Sequence, residues 1–439
     1  MKKPFTLITA LALALLLAVA FAGCAAIKVK TDTAPGSRDD GAYESSDGGV
    51  LPFVPGKDTG GADKADPDDP DDTGDSAHEI AAGQLTAGAW RDTSDFSLWL
   101  QQTGQGGLYA DDYARLLDVA AAPINTRRPI TAHVTANGAP VFNAEVELHN
   151  AQGAKIAAAR SDAKGLAYLF PQTLPKDYTL TAKSGAFTGE TEGTYTAGDL
   201  TPVEVTLPGA AARVNKLQLM LVLDTTGSMG DEINYLVAEL QDVLTAVIAR
   251  TGFAVSLAVM LYRDHGDDYV TSYADFSEQD NAVPLALLAG ASASGGGDTP
   301  EAVDVALAEA AEKKWAADTT KILLHVADAP AHDVAADMTR FSLAVASLAA
   351  QGVRIVPVAS SGIDERTEML MRIEALLTGG VYTFITDHSG IGNTHLEPHL
   401  GAYTVEYLNA LLKRGVEEIV TGTDIPAVPY RQAQTQAQQ

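Results

Sequence analysis

At 439 residues with 46% hydrophobic residues, the chain has room for two or three domains, each with an ordinary core, and is not disordered overall. Its 57 acidic against 30 basic residues leave a formal charge of −27, which excludes a nucleic-acid partner because phosphate binding needs a basic footprint. Cations or basic partners suit such a chain better.

The predicted elements begin with an export signal over residues 1–23, where Lys2 and Lys3 precede an apolar stretch from Phe5 to Ala22. By length alone the stretch approaches a membrane span. FAGC at Phe21–Cys24 resembles a bacterial lipobox, with Phe21 where Leu or Val is commoner. The resemblance implies that Cys24 is lipidated and becomes the new N-terminus, each buried methylene holding the anchor by roughly 0.8 kcal/mol. Cys24 is the only cysteine. Disulfides are therefore unavailable, and the exported domains rely on core packing and any bound metal. In a Gram-negative cell Ala25 lacks the aspartate of the inner-membrane retention signal, which favours the outer membrane or cell surface.

Residues 24–82 read as a disordered acidic tether. From Thr31 to Glu79 fourteen acids face three bases, with few large apolar residues, so the segment repels itself and buries too little to offset chain entropy. Residues 83–126 form a short helical and aromatic segment, with Trp90, Phe96, Leu98 and Trp99 expected to pack against the next domain and a helix over Leu108–Ala120.

Over residues 127–208 the period changes to alternating apolar and polar residues broken by NG, QG and KG turns, the pattern of an antiparallel β-sandwich. Gly138–Leu148, followed by SDAKGLAY to Tyr168, resembles transthyretin-like or carboxypeptidase-regulatory-like modules. His133 and His149 stand singly on predicted strands and read as structural.

From Val214 to Gly422 strand and helix alternate. Apolar runs at Leu217–Leu223, Ala254–Tyr262, Ile322–Ala327, Val353–Ala359 and Val381–Ile385 are separated by helical patterns, one carrying Ile233, Leu236, Val237, Leu240, Val243, Leu244 and Val247 on a single face. This texture predicts a doubly wound, mostly parallel α/β sheet, whose ligands sit beyond the carboxyl ends of the strands. Two strands end in aspartate, Asp224 and Asp328.

In DTTGS the positions Asp224, Thr226 and Ser228 are spaced by two, so one tight loop aims a carboxylate and two hydroxyls at a common point. Such hard oxygen donors suit Mg²⁺, Mn²⁺ or Ca²⁺. The loop SGGGDTPEAV adds Asp298 and Thr299, and HVADAPAH adds Asp328. In this order the pieces resemble the von Willebrand factor A domain and its metal-ion-dependent adhesion site. The resemblance implies a Rossmann-like fold over 214–422 and a ligand set of Asp224, Thr226, Ser228 and Asp328, with Thr226 where the family motif has Ser. The second-loop ligand is Asp298 or Thr299, Asp298 being favoured by alignment and Thr299 supplying the family's hydroxyl. It also implies a protein partner that completes the metal shell with an acidic residue. A third carboxylate at Asp298 would neutralise more of the metal's charge, tightening its binding while weakening that of an acidic partner.

The rival chemistry is phosphoryl transfer, since DTTGS overlaps the D-K-T-G-T signature of aspartyl-phosphate ATPases. Position 225 is Thr instead of Lys, and no second phosphatase motif follows. No catalytic triad, H-E-x-x-H or P-loop pattern emerges either, so the expected protein is not an enzyme. The polar run Arg263–Asp268 reads as a turn with local salt bridges in preference to a second metal site, His325 as a core histidine, His332 as a residue near the site rim, and His395 as a candidate contact. A final helix is predicted over Tyr403–Arg414, and residues 423–439 as a disordered tail. The expected protein is an extracytoplasmic, membrane-anchored lipoprotein that binds a macromolecule through a divalent cation. A structural envelope module with a fold-stabilising metal is the alternative.

Overall fold

Two faces of one sheet are covered, and the alternation along its central strand shows why. The computed structural model describes residues 81–431 apart from Pro123, Thr251, Glu278, Gln279 and Asp298, and apart from the side chain of Arg250. The signal segment, Cys24, most of the acidic tether and residues 432–439 lie outside the described residues, as does Asp298.

The elements run β1 (Thr86–Trp90), α1 (Phe96–Gln102), α2 (Ala110–Val119), β2 (Ile130–Ala136), β3 (Ala139–Pro140), β4 (Glu145–Asn150), β5 (Lys155–Arg160), β6 (Leu166–Leu169), β7 (Asp177–Ser184), β8 (Phe187–Thr194) and β9 (Val203–Leu207). They continue with β10 (Lys216–Asp224), α3 (Ile233–Arg250), β11 (Ala254–Tyr262), β12 (Thr271–Ser277), α4 (Ala282–Ala289), α5 (Val303–Glu312), β13 (Thr320–Ala327), α6 (Ala335–Gln351), β14 (Val353–Ala359), α7 (Glu365–Thr378), β15 (Tyr382–Thr386), β16 (Glu406–Tyr407) and α8 (Leu408–Thr421). Among the described residues no helix is long and apolar enough to cross a membrane.

The large sheet has the order β12-β11-β10-β13-β14-β15-β1-β16. Strands β11, β10, β13, β14 and β15 are mutually parallel, as the apolar runs predict, while β12, β1 and β16 pair antiparallel. The sheet is therefore mixed. Along β10, Leu217, Leu219, Leu221 and Leu223 face one apolar cluster with Leu236, Leu240 and Leu244 of α3, whereas Met220 and Val222 face the other with Leu307, Phe341 and Ile373 of α5, α6 and α7. A strand buried on both faces needs this continuous apolar run. Helices α6 and α7 end on Gly352 and Gly379, both left-handed, which lets the chain turn straight back into the sheet.

The aromatic segment belongs to this α/β layer and not to the strands that follow it in sequence. Thr86–Trp90 pairs with Thr386–Tyr382 of β15, and Phe96, Trp99, Tyr109 and Tyr113 sit in the same cluster as Met369 and Phe384. Strand β1 covers the edge that β15 would otherwise present, and α1 and α2 complete the burial of α7.

Between α2 and β10 the chain builds two four-stranded sheets, β3-β2-β6 with β9 on β2, and β5-β4-β7-β8. Val134, Ala167 and Val205 of the first share one cluster with Val146, Leu148 and Leu180 of the second. One pair departs from the antiparallel expectation: β2 and β9 run parallel. The Arg354 guanidinium at the start of β14 donates to the Arg160 carbonyl at 2.6 Å, joining this segment to the α/β layer. The last helix begins later than expected because Glu406 and Tyr407 are extended and pair with β1. Residues 423–431, placed in the tail by sequence, lie partly against the domain: the Val428 amide donates to Glu406 at 2.9 Å and the Tyr430 amide to Val405 at 3.0 Å.

Candidate functional site

Because β10, β11 and β13 are parallel and in register, their carboxyl ends share one edge: Asp224 stands opposite Tyr262, and Leu223 opposite Val326 two residues before Asp328. After Asp224 the chain passes into a 3-10 turn, Gly227–Asp231. Asp224 Oδ1 accepts from the Thr226 amide at 2.9 Å and the Thr226 hydroxyl at 2.8 Å, and the Thr226 and Ser228 hydroxyls are 3.2 Å apart. The spacing by two thus gathers all three, with Asp224 and Thr226 buried and Ser228 exposed at the mouth.

The glycine loop is held against this turn by its backbone. The Gly227 amide donates to the Gly295 carbonyl at 3.1 Å and the Ser294 amide to Thr225 at 3.0 Å. The Gly296 amide donates to Asp267 at 2.8 Å. At Gly295 a side chain is excluded twice: φ is +81°, and a Cβ would lie 2.5 Å from the Asp267 carboxylate. Thr299 reaches the same cleft, a hollow of roughly 430 Å³ that Ser228, Gly296, Glu301 and Asp328 also line.

Sequence reasoning missed Glu301. Its amide donates to the Pro330 carbonyl at 2.9 Å and it pairs as a single parallel bridge with Ala331, so the loop before α5 is stitched to the segment after β13. Its carboxylate is buried in the cleft, and the only signal in sequence is its place two residues after Thr299.

Among the described residues Asp224 Oδ2, Glu301 Oε2 and Asp328 Oδ1 are buried without a hydrogen-bond partner. Burial pushes the Asp224 carboxyl up, against the opposing hydrogen bonds from Thr226. Burial and then the Asp224 charge push Asp328 up. Burial, followed by the charges of Asp224, Asp264, Asp328 and Asp267, pushes Glu301 up to about 9. Three crowded acids with one spare oxygen each, beside two hydroxyls, fit a hard divalent cation, which would supply the positive charge this pocket lacks. Asp224, Thr226, Ser228, Asp328 and Glu301 are the residues able to hold it, with Thr299 in reach of the cleft.

The remaining sequence candidates fall into place around it. His325 is buried, with Nδ1 2.8 Å from Glu374 and Nε2 3.2 Å from the Tyr262 hydroxyl. His395 lies between Asp387 at 2.8 Å and Glu232 at 3.3 Å. The Asn393 amide donates to Asp231 at 2.5 Å, so the Ser389–Pro398 loop is docked on the 3-10 turn of the site, and Glu232 also accepts from the Ser361 amide at 2.7 Å. His332 Nε2 is 2.7 Å from Asp264, and with His265 these residues form a group whose ligand atoms lie within 4.8 Å of one another.

Residues 218–389 match the family model of the von Willebrand factor A domain, and the chain carries such a domain. A putative ariadne-like RING finger protein of Acanthamoeba polyphaga mimivirus is 33% identical over 117 residues, which is 26% of this chain and 11% of that protein. Among solved structures, the von Willebrand factor type A protein from Catenulispora acidiphila is 14% identical with a TM-score of 0.34, covering 65% of this chain and 50% of that one. The pilus adhesin SpaC from Lactobacillus rhamnosus GG, in an open conformation, is 12% identical with a TM-score of 0.34, covering 56% of this chain and 32% of that one. The chain thus spans about a tenth of the curated relative and half or less of these two structures.

Proposed function

We propose that this protein is an extracytoplasmic lipoprotein, anchored through Cys24 and an acidic tether, whose von Willebrand A domain captures a protein partner through a divalent cation. It is a binding module and not an enzyme. The observation that carries this reading is the trio of unpartnered buried oxygens on Asp224, Glu301 and Asp328, the last two lining an open cleft and Asp224 buried behind it. A buried polar atom without a partner costs about 1–3 kcal/mol, and three together at a ligand-accessible edge are sustained by function more readily than by folding.

The two four-stranded sheets, enclosing one apolar cluster, form the β-sandwich that the transthyretin-like resemblance implies, here acting as a spacer. Mg²⁺, Mn²⁺ or Ca²⁺ suits the oxygen donors. An acidic side chain of the partner completes the shell, and Glu301 takes the charge-balancing part assigned by sequence to Asp298: ionised, it weakens capture of an acidic partner; protonated, it leaves the cation's charge available.

Capture from an envelope extract, with Mg²⁺ or with EDTA and for the wild-type chain against Asp224→Ala, tests this reading. The expected result is one protein retained by the wild type in Mg²⁺ alone. Equal retention in EDTA, or by Asp224→Ala, would overturn it. Loss of cooperative melting in EDTA with nothing captured would show a fold-stabilising metal instead.

A further inference from the structure

The loop after β11 and the segment after β13 meet a second time, next to the cleft. Asp264 and His265 come from the first, His332 from the second. We infer that Asp264, His265 and His332 form a second cation site, for an imidazole-preferring divalent ion of the zinc class, beside the oxygen-lined site and chemically distinct from it.

Four observations carry this. The three ligand atoms lie within 4.8 Å of one another, and His332 Nε2 is already 2.7 Å from Asp264 Oδ1. Three ligands at roughly 2.0–2.2 Å from a tetrahedral zinc stand about 3.3–3.6 Å apart, so closing the set takes a small inward rotation of the exposed His265 ring and a widening of the Asp264–His332 contact by about 0.6 Å. That ring is already 5.6 Å, centroid to centroid, from the His332 ring.

Second, the backbone at this point is built. Gly266 has φ +93°, reversing the chain directly after His265, and the Asp264 amide is tied to the Asp267 carboxylate at 3.2 Å. Asp267 also accepts from the Gly296 amide, so one carboxylate sets the position of this loop against the glycine loop of the first site. His332 is placed with similar economy, because Ala331 is bridged to Glu301 immediately before it. The five-residue run Asp328–His332 therefore supplies one donor to each site.

Third, the loop does form the expected turn, closed by the Asp267 amide on the Asp264 carbonyl at 3.4 Å, but its local salt bridge is long and does not engage Asp264. The Arg263 guanidinium turns inward, donating to the Thr225 and Ser292 carbonyls at 3.1 Å each and lying over the Tyr269 ring at 4.6 Å. Its contact with the loop's acids is a 3.9 Å approach to the almost fully exposed Asp268. Asp264 is left with His332 as its ion-pair partner among the described residues.

Fourth, the donor sets differ in kind. Two imidazoles and one carboxylate suit Zn²⁺ and its neighbours, whereas Mg²⁺ demands oxygen. Three protein ligands leave a coordination position open toward solvent, so the ion can bind an outside donor.

The test uses the full-length chain and the metals alone. Equilibrium dialysis against Zn²⁺ in excess Mg²⁺ should retain one tightly held zinc per chain, and Co²⁺ in its place should give the intense visible bands of a low-coordinate site. His265→Ala, at an exposed position, should weaken zinc binding at least tenfold and remove the Co²⁺ bands without changing the melting curve. His332→Asn should do the same. Asp224→Asn should keep the zinc while losing any Mg²⁺-induced rise in melting temperature. Wild-type zinc uptake that survives both histidine variants would overturn the proposal, as would loss of zinc in Asp224→Asn. The zinc result is independent of the Mg²⁺ response, so failure of the proposed function at the first site leaves it standing, and the reverse.

Discussion

Arg372 on α7 and Asp92, 280 residues earlier, form a fully buried ion pair, with Arg372 Nε donating to Asp92 Oδ2 at 3.1 Å and the second guanidinium nitrogen to Oδ1. The guanidinium also donates to Gln102 at 2.9 Å and the Tyr109 hydroxyl at 3.0 Å, and lies 4.9 Å from the centre of the Trp99 ring. Every partner comes from the segment before the two small sheets. One buried cation therefore fastens β1, α1 and α2 to the α/β layer.

Asp92→Ala is expected to destabilise the chain by about 3–5 kcal/mol, because it strands a desolvated guanidinium. Pairing it with Arg372→Met should recover much of that loss, since removing both charges also removes the penalty. Urea unfolding of the four chains of this cycle checks it. A loss below about 1 kcal/mol in Asp92→Ala would mean that water reaches the pair.

Mg²⁺ should raise the melting temperature of the wild-type chain, and EDTA should reverse the effect. Binding to the folded state alone adds about 2.7 kcal/mol at one hundred times the dissociation constant. Asp224→Asn should abolish the response while raising the melting temperature of the metal-free chain, since it relieves crowding with Asp328 and Glu301. Calorimetry of Glu301→Gln should show weaker Mg²⁺ binding; an unchanged constant would place Glu301 outside the shell.

Gly295→Ala is expected to cost roughly 1–3 kcal/mol of local strain and to weaken Mg²⁺ binding about tenfold or more. The added Cβ meets the Asp267 carboxylate and needs a left-handed backbone. Gly266→Ala, where φ is +93° but a Cβ meets nothing within 4 Å, isolates the backbone part of the effect. Equal Mg²⁺ affinity in both variants would show that the Asp267 contact is immaterial.

His395 gives the fold a pH dependence of definite sign. Burial pulls its imidazole down, but hydrogen bonds to Glu232 and Asp387 outweigh this and hold its pKa above the ordinary value. Hydrogen bonds from the His395 amide and ring hold the Asp387 carboxyl below its ordinary value. The histidine contribution is complete below about pH 6.5 and is lost as pH rises through the folded value; the aspartate contribution is present above about pH 3.9 and is lost as pH falls through its folded value. Asp387 is 59% exposed, so solvent screens much of its share and Glu232 carries more of the effect. Unfolding of the wild type and His395→Gln across pH 4–8 should show a difference that shrinks above neutrality. A constant difference would mean that packing, not charge, holds the loop.

Much of the site was legible because its pieces are local. Asp224, Thr226 and Ser228 converge through two bonds within a single turn, and Asp328 follows directly from where an apolar run stops. Glu301 was not legible, since its position depends on a one-residue bridge to Ala331 and its character on four other carboxylates. The run Arg263–Asp268 was legible in part: the turn and a 3.9 Å salt bridge form as read, yet the fold aims the arginine's hydrogen bonds at carbonyls of two other loops.

The sequence by itself determined where the parallel strands lie, that two of them end in aspartate, and that hard oxygen donors gather after the first. Period, turn residues and spacing act over a few residues and survive without any knowledge of neighbours. Only the tertiary structure decided that Thr86–Trp90 closes the sheet edge, that Glu301 enters the cleft, and that His332 meets Asp264. Those relations join residues 30 to 300 positions apart, and strand order, which local pattern does not encode, sets them.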